Sequence, residues 1–145
     1  MKHHHAGLTI ETSASFELIN ITARLQELLA ASAIGQGLLH VSALHTTVAI
    51  TVNEDEERLR ADIENHFLKL APPRARWLHN DIHLRDCPPD EPENAHAHLI
   101  AMMLGHQQTI AVHEGRLVLG KWQSVLMAEL DGPRRRTLAV SILGA

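Results

Sequence analysis

The chain is poor in the groups that usually announce chemistry. It has one cysteine, Cys87, among 145 residues. An internal disulfide is therefore excluded, as is any zinc site built on paired thiolates. There is no tyrosine, and only two Trp and two Phe are present. The core must rest on Leu, Ile, Val, Ala and Met. No apolar run approaches the length of a membrane span. The N-terminal Met-Lys-His-His-His lacks the apolar stretch of a secretory signal. With the lone thiol, this gives the expectation of a soluble protein in a reducing, cytoplasmic compartment. No Gly-rich phosphate loop, G-x-S-x-G elbow or HEXXH pattern occurs. The formal charge of -4 argues against a nucleic-acid binder held by bulk electrostatics.

What remains suits one domain. A hydrophobic fraction of 45% and a charged fraction of 21% are ordinary for a globular chain of this length. Residues 1–6 read as a disordered or tag-like tail, and 7–145 as a single α+β domain. Leu8 and Ile10 alternate with polar neighbours over 7–14, as in an edge strand. Asn20 precedes a helical repeat of Ile21, Leu25, Leu28 and Leu29 that Gly35 ends. Residues 38–54 form a long strand pattern, either two strands or one bent one. Its parity sets Ala43, His45, Thr47, Ala49, Thr51 and Asn53 on one small, polar face, and Leu44, Thr46, Val48, Ile50 and Val52 on a core face. Acidic 54–57 opens a second helix through Leu59, Ile63, Phe67 and Leu70, closed by Pro72-Pro73. Residues 76–84 allow a short strand with His79, Asp81 and His83 on one side. Asn94 caps a third helix, AHAHLIAMML, closed by Gly105. Beyond it lie a hairpin turning at Glu114-Gly115 and two strands flanking Asp131-Gly132-Pro133. The expectation is three helices and about seven strands in a largely antiparallel sandwich or barrel-like sheet.

Histidine is the most suggestive residue type, and three copies stand in separate elements. His45 lies in ALHTT, His79 in WLHND and His98 in NAHAHL. Each also fits a bland role, as a half-buried strand histidine, a loop residue or a helix-face residue. Three neutral imidazoles on one Zn or Mg ion would leave a position for an activated water, with Glu54 or Asp62 as general base. Asp81, beside His79, would orient that ring. His96 diverges from His98 on a helix and falls on the rim. Both stand near a helix N-terminus, where free N–H groups favour phosphate. Arg134-Arg135-Arg136 is either a solvated basic strand end or a phosphate clamp. Alternation points Arg135 away from Arg134 and Arg136. Trp122-Gln123 reads as core packing with a satisfied amide, or as the wall of a pocket.

Taken in order, HTTVAITVNE, WLHND, NAHAHLIAMMLG, EGRLVLGKWQ and DGPRRR resemble the YjbQ-like family over about residues 8–144. That family is known for a secondary thiamine-phosphate synthase activity, which joins a pyrimidine diphosphate to a thiazole phosphate and releases pyrophosphate. The resemblance implies a small trimeric α+β fold with a histidine-lined site and a phosphorylated small molecule as ligand. Carried over, the site comprises His45, Thr46, Thr47, Asn53, Glu54, Asp62, His79, His98, Trp122, Gln123 and an arginine of 134–136, taken as Arg135 and Arg136. It implies no organic cofactor and leaves open a divalent metal on His45, His79 and His98. Trp77 stands where many relatives carry Tyr. A metal-dependent hydrolase and a non-catalytic phosphometabolite-binding trimer remain as rival readings.

Overall fold

A computed structural model describes residues Met1–Ala145. Eight strands and three α-helices follow in the order β1 (Lys2–Glu11), β2 (Glu17–Asn20), α1 (Thr22–Ser32), β3 (Gly37–Ala43), β4 (Val48–Asn53), α2 (Glu57–Leu70), α3 (Ala95–Leu104), β5 (Gln107–His113), β6 (Arg116–Leu117), β7 (Ser124–Glu129) and β8 (Arg135–Gly144). Two antiparallel sheets result. The larger has the order β1-β8-β3-β5-β6 and the smaller β2-β7-β4. The α+β class and the antiparallel pairing expected from the sequence are both present. No helix is long and apolar enough to cross a membrane.

The sheets face each other across the main core. Leu39, Val41, Leu138, Val140 and Ile142 of the larger sheet meet Val48, Ile50, Val125 and Met127 of the smaller, with Leu25 and Leu29 of α1 filling in. The back of the smaller sheet carries a second cluster, in which Ala49 and Ala128 pack on Ala97, Ile100 and Ala101 of α3. Alanine on both surfaces lets the helix approach the strands closely. Deleting a fully buried side chain such as Leu29 costs about 2–5 kcal/mol.

Four expectations need correction. Residues 2–6 are strand, not tail, because β1 pairs with β8 along its whole length, from Lys2 opposite Gly144 to Glu11 opposite Arg135. The pattern 38–54 is two strands in different sheets, and the crossing at 44–47 resets the parity. Leu44, expected in the core, is 61% exposed, whereas Ala49, placed on the polar face, is fully buried against α3. Residues 76–84 form two single-turn 3-10 helices rather than a strand. Asp81 there takes two hydrogen bonds from Arg76, both 2.8 Å, and does not orient His79. Finally, Asn94 stands at the start of α3 but leaves the capping to Asn80, whose Oδ1 accepts from the Ala95 amide at 3.1 Å.

The β5–β6 hairpin turns as its residues require. Glu114 and Gly115 both have positive φ, 49° and 70°, the pair a two-residue turn of that twist demands.

Candidate functional site

The crossing at 44–47 is pinned where β7 ends and β8 begins. Val48 lies opposite Glu129 in the β4–β7 register. The Leu130 amide donates to the Thr47 carbonyl at 3.2 Å, and the Leu44 amide to the Thr137 carbonyl at 3.3 Å. His45 is fixed by its own ring, whose Nε2 accepts from the Thr137 amide at 2.9 Å.

Strand alternation turns Arg136 inward and Arg135 outward. Arg135 reaches only Glu11, at 3.5 Å on the surface, so its expected phosphate role is not supported. Arg136 is 4% exposed and pairs with the fully buried Glu129. Its Nε and Nη2 donate to the two carboxylate oxygens at 2.7 and 2.6 Å, and Nη2 also donates to Thr47 Oγ1 at 3.0 Å. Thr12 Oγ1 donates to the same carboxylate at 2.9 Å, as does the Asp131 amide. Burial alone would raise the Glu129 pKa. The hydrogen bonds from Arg136, the Asp131 amide and Thr12, with the Arg136 charge, outweigh it and hold the pKa below its ordinary value.

Arg136 of this pair lines a polar cavity of about 410 Å³, together with His45, Thr46, Thr47, Glu91, Asn94, His98, Asp131 and Arg134 among others. Arg134 donates to the Asp131 carboxylate at 2.8 Å, and Asn94 Nδ2 donates to it at 2.7 Å. A guanidinium has five N–H donors. Three of those on Arg136 are spent on Glu129 and Thr47. The two on Nη1 have no partner in the chain, and Arg136 is among the residues that line the cavity.

A second cavity, about 440 Å³, adjoins the first and shares Leu44, His45, Thr46 and His98 with it. Its other walls are Ala43, Val48, Ala101, Met102 and His106. One half of the combined site therefore sets the guanidinium groups of Arg134 and Arg136 beside the Asp131 and Glu91 carboxylates, and the other is mostly apolar. His98 stands between them, its ring edge-to-face with His79 at a centroid distance of 4.8 Å. Burial first, then the neighbouring His79, lower the His98 pKa. Burial first, then Arg136, lower that of His45. Both rings are thereby favoured as neutral imidazoles.

The chain gathers only part of the expected set. His45, Thr46, Thr47, His98 and Arg136 meet, and His79 stands behind them. Asn53 and Glu54 close the far end of β4, where Asn53 lies opposite Ser124. Trp122 and Gln123 sit beside that end. Trp122 is 65% exposed, neither core nor pocket wall, and Gln123 Oε1 accepts from the Gly120 amide. Asp62 is on α2 beside His66 and Lys69, away from both cavities. The N-terminus of α3 is a weaker phosphate site than its position suggests, because Asn80 and the Asn94 carbonyl take the Ala95 and Ala97 amides. His96 is half-buried rather than on the rim, with Nδ1 lacking a partner.

A metal does not fit the histidines of one chain. No group of three or more His, Cys, Asp or Glu side chains is close enough together to hold an ion, and His45 Nε2 is already committed to an amide.

The family model described as "UPF0047 protein YjbQ-like" matches residues 6–145. The chain belongs to that family. It is 42% identical to a UPF0047 protein of Methanothermobacter thermautotrophicus over 99% of this chain and 94% of the relative. It is 32% identical to the UPF0047 protein YugU of Bacillus subtilis, over 94% and 97%. Among solved structures it resembles a YbjQ-like protein of unknown function from Sulfolobus solfataricus, with a TM-score of 0.89 and 36% identity over 99% of both chains. A hypothetical protein from Aeropyrum pernix matches with a TM-score of 0.89 and 37% identity, over 98% and 99%. In this YjbQ-like chain the residues missed from sequence are Glu129, Thr12, Asp131, Asn94 and Met102. Glu129 left a signal: it is the one charge in the apolar run SVLMAEL, and Arg136 lies just beyond the following turn.

Proposed function

We propose that the paired cavities bind a small phosphorylated molecule and that the chain acts as a transferase in the manner of a secondary thiamine-phosphate synthase. The single observation that carries this reading is the unspent Nη1 of Arg136. A buried arginine held rigidly by Glu129 presents two N–H donors to a cavity that Arg134 also lines. Such donors suit phosphoryl oxygens, and, being preorganised, they stabilise a departing pyrophosphate. The adjoining apolar cavity suits a flat ring attached to that phosphate. In the reaction a C–N bond forms from the thiazole nitrogen to the pyrimidine methylene, and the C–O bond to pyrophosphate breaks. Supplying purified protein with both substrates and following thiamine phosphate and pyrophosphate tests the assignment. His45→Ala is expected to abolish complementation of a strain lacking thiamine-phosphate synthase while leaving the fold intact. Full complementation by that variant removes the assignment.

Metal-dependent hydrolysis has less support, because the three histidines do not form a ligand set within one chain. Elemental analysis of untagged protein tests it, and a stoichiometric divalent ion would revive it. Non-catalytic binding of the same molecule is separated from turnover by the same product assay.

The trimer that the family resemblance implies is supported by α3. Residues 94–113 contain no Asp, Glu, Lys or Arg, yet α3 lies in the outer layer and Met102 is 82% exposed. An exposed apolar stripe of this kind marks an interaction surface. Light scattering on Met102→Glu, expected to lower the mass of the assembly, tests it. A lone cysteine and the absence of a membrane-spanning helix are in keeping with a cytoplasmic protein.

A further inference from the structure

We infer that His45 is a tautomer-locked N–H donor to the bound phosphate, and not a general base or a metal ligand. The inference rests on the phosphate reading of the cavity and assigns a role within it. A backbone amide can only donate. The Thr137 N–H points at His45 Nε2 at 2.9 Å, so Nε2 must present its lone pair. In a neutral imidazole the single proton then sits on Nδ1. Nδ1 has no partner within the chain and is not a buried orphan. It is the ring nitrogen left for a ligand, and what it offers is a proton donor.

The anchor is strong because it is backbone. Thr137 follows Arg136 on β8, and the Thr137 carbonyl in turn accepts from the Leu44 amide at 3.3 Å. Both donors are therefore held at neighbouring β8 positions, Arg136 by Glu129 of β7 and His45 by the Thr137 amide. Protonating His45 would cost the Thr137 hydrogen bond and place a second cation beside Arg136. Metal binding through Nε2 would break that bond too, and binding through Nδ1 would require the proton to leave.

The test joins spectroscopy with binding. Long-range ¹H–¹⁵N correlation on ¹⁵N-histidine protein at pH 7.5, with His45→Gln used for assignment, is expected to show His45 protonated at Nδ1 only. An Nε2-protonated ring or an imidazolium overturns the inference. Calorimetry with inorganic pyrophosphate separates the two nitrogens. His45→Asn places an amide N–H near Nδ1, whereas His45→Gln keeps an acceptor for the Thr137 amide but has no donor at Nδ1. His45→Gln is expected to weaken binding by about tenfold or more, as removal of a donor to an anion does, and His45→Asn to weaken it much less. The reverse order, with Gln binding like the unsubstituted chain, overturns the donor role. If the unsubstituted protein does not bind pyrophosphate at all, the phosphate reading fails, while the tautomer measurement still decides the state of His45.

Discussion

The two ends of the β4–β7 pair carry similar polar residues and are built differently. At one end Val48 faces Glu129, Arg136 and Thr12 donate to that carboxylate, Thr47 accepts from Arg136, and His45 is bound to the neighbouring Thr137 amide. At the other, about 17 Å along strands rising ~3.3 Å per residue, Asn53 faces Ser124, with Glu54, Trp122 and Gln123 beside them. The first end is largely buried, and its Glu129–Arg136 pair is held by several partners. The second is open, with local hydrogen bonds such as that donated by the Glu54 amide to Asn53 Oδ1. A polar cluster becomes a site when packing fixes its donors before a ligand arrives. A cluster on an open strand end can reorganise and has little to preorganise.

The contrast is broken most severely by Glu129→Ala, which leaves Arg136 as an unpaired buried charge. The expected loss is about 3–5 kcal/mol, read as a lower urea midpoint. Gln123→Ala at the open end is expected to shift stability by less than about 0.5 kcal/mol. Equal losses at both ends would dissolve the distinction.

Acid sharpens it next. Glu129 has a lowered pKa in the fold, so its contribution is present above the ordinary carboxylate value, about 4.3, and is lost as pH falls through the lower folded value. His45, His96 and His98 are also lowered, burial being the first cause of each. The unfolded chain takes up these protons near pH 6.5, so their contribution is complete above that value and declines as pH falls through the folded values. Thermal unfolding between pH 7.5 and 3 is expected to show a loss starting below about 6.5 and a further one below about 4.3. The His45→Gln variant should flatten the upper stage. Stability rising on acidification would contradict the buried-histidine account.

A smaller effect concerns binding alone. Arg134 lines the cavity but pairs with Asp131 at a half-exposed position. Arg134→Gln is expected to weaken pyrophosphate binding by about tenfold, with the fold retained. The smallest expected effect is that of Asp62→Asn, which should leave pyrophosphate affinity unchanged in calorimetry. A loss comparable to that of Arg134→Gln would bring α2 into the site, from this chain or from a neighbouring copy.

Much of this architecture was legible in the residues. The period of Leu25 and Leu29, the stop at Pro72-Pro73, the turn at Glu114-Gly115 and the alternation that separates Arg135 from Arg136 are local signals, and each found its element. His98 stands out by its helix stripe, whereas the strand parity that singles out His45 does not survive the crossing at 44–47, although His45 still lines both cavities. What failed was long-range. Nothing local tells that 38–54 changes sheets at His45, and that change inverts which side chains are buried. Proximity in sequence pairs Asp81 with His79, whereas in the fold Arg76 takes it with a charged, bidentate bond. Glu129, a single acid in an apolar run, has meaning only once Arg136 is folded against it.

The central claim is that phosphate binds at the buried end, on the free Nη1 of Arg136 and the Nδ1 of His45. A crystal structure of the protein soaked in pyrophosphate tests it most directly. The account predicts phosphoryl oxygens within hydrogen-bond distance of both nitrogens. Pyrophosphate bound at the Asn53–Gln123 end, or a fully accessible cavity that stays free of it at saturating concentration, would contradict it.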